Sequence, residues 1–155
     1  MKTALFAGSF DPFTRGHAAV VEDGLRIFDR IIIGIGTNTL KNGLLTVENR
    51  RRLIDEVYRD NDRVECIVYD ELTGELCRRM QVDVLLRGVR NATDCEYERS
   101  IADVNRMLFP EVTTVMVFAP AQYAAVSSSI IRELLRFGGD VSAMLPENID
   151  INKFI

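Results

Sequence analysis

Three observations on the 155-residue chain predict an α/β fold. Short apolar runs rich in valine and isoleucine alternate five times with amphipathic segments at helical spacing. Runs such as Arg30–Gly36 are continuous rather than alternating, as in parallel strands covered on both faces. Glycine, serine and basic residues gather just after the runs end. Together these predict a single domain over residues 1–155, an open Rossmann-like sheet of five parallel strands with helices on both faces.

The first run is Thr3 to Ala7, and Ala18, Val21, Leu25 and Phe28 then recur near helical spacing. Between them lies Gly8-Ser9-Phe10-Asp11-Pro12-Phe13-Thr14-Arg15-Gly16-His17, a strand-to-helix loop. Its two glycines permit backbone geometry closed to other residues, and Pro12 fixes a turn. His17 falls at a solvent-facing helix start, where unsatisfied amides and the dipole favour an anion such as phosphate. Arg30–Gly36 is the second strand, followed by a loop over 37–44 that carries Lys41. Thr46 caps a helix in which Val47, Leu53, Ile54, Val57 and Tyr58 share a face, with Glu48 near its positive end. The run Arg50-Arg51-Arg52 reads as solvated helix surface. Asn61 and Asp62 turn the chain into a strand over 64–69. A short helix over 71–80 and a fourth strand over 82–86 follow, and Arg87 to Asn91 form the next strand-end loop. Tyr97, Ile101, Val104 and Leu108 lie at i, i+4, i+7 and i+11 of a helix over 93–108, an apolar face counted into the core. A fifth strand over 112–118 and a loop over 119–126 lead to Ser127-Ser128-Ser129, which opens a helix stopped by Gly138 and Gly139.

Composition narrows the function. A net charge of −4 argues against broad nucleic-acid binding, and no segment approaches a membrane span or a signal peptide. Cys66, Cys77 and Cys95 are odd in number and widely spaced, against both a disulfide framework and a zinc site, so a reducing cytoplasm is expected. In an open parallel sheet, loops at the carboxyl ends of the strands meet at one edge. This brings His17, Lys41, Arg87 with Arg90, and the serine run together. Singly, each has a plain alternative: a loop lysine, a strand-end arginine, a serine cap. Together they suggest a site for two phosphorylated ligands. Transfer between phosphates needs mainly positioning and charge neutralisation, and an attacking phosphate needs no general base. A magnesium ion is expected on the nucleotide, held largely by phosphate oxygens and water.

The first loop resembles the G-[ST]-F-D-P-x-T-x-G-H signature of the bacterial phosphopantetheine adenylyltransferases, within the nucleotidyltransferases that carry [HT]-x-G-H. Leu85 to Glu98 resembles that family's I-R-G-[LV]-R-x-x-x-D-[FY]-E-Y-E block, Tyr123 to Arg132 its [WY]-x-x-[IV]-S-S-S-x-[IV]-[RK] block, and Gly139-Asp140-Val141 to Leu145-Pro146 its tail. The resemblance implies transfer of the adenylyl group of ATP to 4′-phosphopantetheine, giving dephospho-coenzyme A and pyrophosphate, with coenzyme A as a downstream product or feedback ligand. It implies ATP contacts from Ser9, Phe10, His17, Gly88, Val89, Arg90, Glu98, Tyr123, Ala124, Ala125, Val126, Ser127, Ser128 and Ser129. Acceptor contacts would come from Ser9, Lys41, Thr73 and Arg87, with His17, Lys41 and Arg87 as the catalytic group. It further implies a homohexamer. Three positions depart from the pattern: 37–45 lacks the usual proline and paired lysines, Cys95 replaces an aromatic residue, and Ala124-Ala125 is smaller than usual. Rival readings are adenylylation of a pyridine mononucleotide, CMP transfer to an alcohol phosphate, a non-catalytic nucleotide sensor and a nucleic-acid module.

Overall fold

A computed structural model describes residues 1–37 and 43–155. Lys41 therefore lies outside the described residues. The elements run β1 (Thr3–Gly8), α1 (Arg15–Leu25), β2 (Arg30–Gly36), α2 (Val47–Val57), β3 (Val64–Tyr69), α3 (Thr73–Met80), β4 (Val84–Val89), α4 (Ala92–Leu108), β5 (Thr113–Phe118) and α5 (Ser128–Arg136). The strands form one sheet in the order β3-β2-β1-β4-β5, with every neighbouring pair parallel. The predicted five-stranded parallel sheet is thus the observed one.

Alternate residues of the central strands feed opposite faces, as the two-residue period of a strand requires. Ala4 and Phe6 of β1, and Ile31, Ile33 and Ile35 of β2, join one apolar cluster with residues of α1, α2, α5 and the C-terminal segment. Leu5, Ala7 and Ile32 join the other, with Leu76 and Cys77 of α3 and Phe109 beyond α4. Helices therefore cover both faces. The order reverses between β1 and β4, so the carboxyl ends of these strands diverge into a crevice.

Several sequence expectations need correction. Arg87, Gly88 and Val89 belong to β4 rather than to a loop, because pairing with β5 continues to Val89 opposite Phe118. Gly8 and Gly16 do not adopt left-handed backbone; Phe10 does, at φ 48°. Gly8 is small for another reason: a Cβ there would press the Phe10 ring at 3.0–3.3 Å. Arg50 is not solvated. Its side chain is 2 % exposed and paired with the carboxylate of Asp11, 1 % exposed. Finally, most of the apolar stripe of α4 faces outward: Tyr97 is 66 % exposed, Leu108 58 %, and Val104 and Met107 are exposed beside them, while Ile101 is half-buried. The only buried residue of that helix is Glu98. Helical spacing identifies which residues share a face, but not whether the sheet or solvent receives it.

Candidate active site

The crevice between β1 and β4 holds a cavity of about 360 Å³. It is lined from β1 and its loop by Ser9 and Phe10, from α1 by His17, from β4 by Arg87 and Gly88, with Arg90 just after it, from α4 by Glu98, and from the start of α5 by Val126, Ser127 and Ser128. Of the four stretches the sequence brought together, those of His17, of Arg87 with Arg90, and of the serine run meet around one space, while Lys41 lies outside the described residues. Gly88 permits this closeness, since a Cβ there would come 2.5 Å from Cγ2 of Val20 on α1. Val89 sits in the core beneath, while Tyr123, Ala124, Ala125 and Ser129 flank the lining without being part of it. Tyr123 closes a 3-10 turn over residues 121–123.

His17 is held more firmly than a helix-start residue in solvent. Thr14 is the N-cap of α1: its hydroxyl accepts from the His17 N–H at 3.2 Å. In return the Thr14 N–H donates to His17 Nδ1 at 3.0 Å, closing a reciprocal capping box with histidine where glutamate is usual. The ring packs against Phe10 edge-on at 5.0 Å and against Phe13 and Phe6 at 5.4 and 6.1 Å. Because Nδ1 accepts, the neutral ring carries its proton on Nε2, which is left as a donor for a ligand in the cavity. Burial among these rings, then the positive charges of Arg87 and Arg90, lower the His17 pKa to about 3.

A testable pH dependence follows. The folded value lies below that of an exposed histidine, about 6.5, so as pH falls the unfolded chain takes up this proton first. The stability contributed by neutral His17 is fully present above about pH 6.5 and is lost as pH falls from there toward 3. His17 is the only histidine, so its ring gives an isolated NMR signal. In the ligand-free protein that signal is expected not to titrate between pH 5 and 8, and a midpoint near 6.5 would refute the neutral-donor geometry.

The two arginines of the cavity each hold a carboxylate. Arg87 grips Glu98 with two parallel bonds, Nε to Oε2 at 2.7 Å and Nη2 to Oε1 at 2.8 Å, and its Nη1 donates to the carbonyl of Ala7 across the β1–β4 seam. Arg90 bonds Asp94 through Nε at 2.9 Å and holds that carboxyl below its usual range. Its Nη1 also reaches the Val126 carbonyl at 3.3 Å. The serine hydroxyls are engaged too: Ser127 caps α5, Ser128 donates to the Pro12 carbonyl at 2.8 Å and Ser129 accepts from Arg132. Ser127 and Ser129 only accept, so their O–H groups and the first-turn backbone amides of α5 are what this helix end can offer an anion. Among the described residues no group of three or more histidine, cysteine, aspartate or glutamate side chains could hold a metal ion.

Arg87 and Glu98 also line a second cavity, of about 340 Å³, on the far side of their pair. Thr73 lies there, at the start of α3, its hydroxyl 3.0 Å from that of Tyr69. Leu72, Ile101 and Leu108 supply apolar wall and Asn105 an amide. The ion pair is thus the partition between two adjoining spaces. Sequence reading missed Asp11, Thr14, Arg50 and Asp94. Thr14 had a local signal in the T-x-x-H spacing of a capping box, and Asp11 and Asp94 stand at the fixed aspartates of the two family blocks; Arg50 had none.

Comparison with known proteins agrees with this architecture. Residues 5–134 match the cytidylyltransferase-like family. A phosphopantetheine adenylyltransferase of Bacteroides thetaiotaomicron is 43 % identical over 98 % of this chain and 100 % of its own length. One from Porphyromonas gingivalis is 48 % identical over 93 % and 94 %. Among solved structures, a bifunctional NMN adenylyltransferase/ADP ribose pyrophosphatase of Francisella tularensis superposes with a TM-score of 0.74 at 16 % identity, covering 97 % of this chain and 46 % of that one, which supports the fold. The near-full-length identity and the family match place this chain in the cytidylyltransferase-like family and, within it, among the phosphopantetheine adenylyltransferases.

Proposed function

We propose that the chain, acting as one domain over 1–155, transfers the adenylyl group of ATP to 4′-phosphopantetheine, giving dephospho-coenzyme A and pyrophosphate for coenzyme A synthesis. The observation that carries the reading is the Arg87–Glu98 partition between two cavities, one lined by His17 and the α5 N-terminus, the other by apolar side chains, Thr73 and Asn105. The first suits a nucleotide triphosphate, and the second suits the amide-bearing apolar arm of the acceptor. The reacting phosphates then meet beside Arg87. An acceptor phosphate oxygen attacks the α-phosphorus, the bond from that phosphorus to the bridging oxygen breaks, and pyrophosphate leaves. The acceptor is already ionised near neutrality, so the step needs no general base.

In this reading Ser9, Phe10, His17, Gly88 to Arg90, Glu98 and Tyr123 to Ser129 surround ATP, and Ser9, Lys41, Thr73 and Arg87 hold the acceptor. His17 Nε2–H donates to an α-phosphate oxygen as charge gathers there. Among the described residues the carboxylates lining the cavity are paired with arginines, so these side chains do not form a metal cage. Mg²⁺ accordingly belongs to the nucleotide substrate, held by phosphate oxygens and water. The free cysteines fit a reducing cytoplasm.

The test is pyrophosphate release by the purified chain with Mg-ATP and, in parallel, 4′-phosphopantetheine, nicotinamide mononucleotide or an alcohol phosphate. Release with 4′-phosphopantetheine alone is expected. Tight ATP binding with no release for any acceptor would instead identify a nucleotide sensor.

Self-association, as a hexamer in this reading, is supported by the outward apolar stripe of α4 together with the exposed rings of Phe118 and Phe137. Light scattering at micromolar concentration is expected to show an oligomer, and a stable monomer would contradict it.

A further inference from the structure

Beneath the loop that carries Ser9 and Phe10 lies an ion pair that plays no part in the chemistry above. Asp11 is 1 % exposed and Arg50, from α2, 2 % exposed. The Asp11 carboxylate accepts the backbone N–H groups of Leu44 at 2.8 Å and Leu45 at 2.7 Å, and Arg50 Nε stands 3.4 Å from its Oδ1. Arg50 does more than neutralise it. Nε and Nη2 both donate to the Leu45 carbonyl, at 3.1 and 2.8 Å, and Nη1 donates to the Ser9 carbonyl at 3.3 Å. The chain around the pair has no spare room: a Cβ on Gly43 would lie 2.1 Å from Arg50 Nη2 and 2.7 Å from Asp11 Oδ2. From the other side, Arg132 of α5 donates to the Asp11 carbonyl at 2.8 Å, and the Ser128 hydroxyl to that of Pro12. Three successive or neighbouring carbonyls of one loop, at Ser9, Asp11 and Pro12, are thus pinned by side chains from two different helices.

This clamp surrounds a backbone that would not keep its shape alone. Phe10 holds φ 48°, a region an L-residue with a large side chain seldom occupies, and its ring is the surface on which His17 rests. We propose that Asp11 and Arg50 are positioning residues for adenylyl transfer: they hold Ser9 and Phe10, and through the Phe10 ring His17, at the reacting phosphates. The inference rests on the adenylyl-transfer reading. A buried pair of this kind adds little net stability over an apolar substitute, so a purely structural role would predict that a neutral replacement leaves a folded enzyme at full rate. A displacement of about 1 Å in a positioned group can cost on the order of 10² in rate.

Two variants separate these. Asp11→Asn with Arg50→Met removes both charges together, so neither is left buried alone. Arg50→Lys keeps the charge but loses the planar fork that spans the Leu45 and Ser9 carbonyls. Each is compared with the wild-type chain for fold by circular dichroism, ATP affinity by calorimetry, kcat with saturating 4′-phosphopantetheine, and amide exchange at Leu44 and Leu45. Folded variants are expected to bind ATP within about threefold of wild type while kcat falls about 10–100-fold. Faster exchange at the two leucine amides should accompany that fall in the double variant. A wild-type kcat in either folded variant overturns the proposal. Should the double variant not fold, Arg50→Lys decides alone. Failure of the underlying reading would look different: the wild-type chain itself would release no pyrophosphate, whereas amide exchange at Leu44 and Leu45 would still report the clamp.

Discussion

Replacing His17 with alanine is expected to lower kcat by about 10²–10³ while ATP binding weakens far less, the signature of a donor whose contact strengthens as charge gathers on the α-phosphate. The structure sharpens the expectation. Burial and two neighbouring arginines keep the ring neutral, so it works as a hydrogen-bond donor through Nε2 rather than as an acid. His17→Gln can still offer both an acceptor to the Thr14 N–H and a donor toward the cavity, and it should retain more activity than His17→Ala. The alanine variant also leaves the Thr14 N–H without its capping partner and removes a ring packed on Phe10 and Phe13. A loss of about 1–3 kcal/mol is expected from leaving that buried N–H unpaired. That is small enough for a protein of ordinary stability, about 5–15 kcal/mol, to remain folded. A folded His17→Ala protein with wild-type kcat would remove His17 from the mechanism; an increase in KM for ATP alone would make it a simple binding contact.

Arg87→Lys is expected to reduce kcat/KM for the acceptor by about 10–100-fold, the equivalent of one charge-assisted hydrogen bond of roughly 1.5–3 kcal/mol. Lysine conserves the charge beside Glu98 but cannot make two parallel bonds to that carboxylate while a third reaches the Ala7 carbonyl. The partition between the two cavities is therefore lost, although the local charge balance is kept. In the ligand-free protein Arg87 is already occupied by Glu98, so acceptor binding has to share or displace that carboxylate. Glu98→Gln, which weakens the competing partner, should change acceptor KM more than ATP KM. Steady-state kinetics with each substrate varied in turn check both expectations, and an unchanged acceptor kcat/KM in Arg87→Lys would contradict the assignment.

What could be read in the sequence was what local chemistry dictates. Runs such as Arg30–Gly36 can bury both faces only inside a parallel sheet, and strand-end loops at a reversal of strand order converge without any linear signal linking them. Of the residues around the first cavity, His17, Arg87, Arg90 and the serine run were found in this way, whereas Ser9, Phe10 and Glu98 came from the family resemblance. What stayed hidden depends on partners far along the chain. Arg50 stands in a run of three arginines that reads as solvated surface, and only the folded chain brings the Asp11 carboxylate and the Leu45 and Ser9 carbonyls to it. The α4 stripe illustrates the limit of periodicity, because spacing fixes a shared face and not its covering. Arg87 was foreseen as a cation in the crevice. Its pairing with Glu98 was not, since those two meet only when the first turns of α4 fold back over β4. The left-handed backbone falls at Phe10 and not at Gly8 or Gly16, where residue type alone would place it.

The central claim, that this site joins the adenylyl group of ATP to the phosphate of 4′-phosphopantetheine, is tested most directly by following the label from ATP carrying radioactive phosphorus at the α position. With purified protein, Mg²⁺ and 4′-phosphopantetheine, the label should appear in dephospho-coenzyme A in equal amount to unlabelled pyrophosphate, and should do so far more slowly with His17→Ala. Label that stays in ATP, or that moves only when a pyridine mononucleotide replaces 4′-phosphopantetheine, would contradict it.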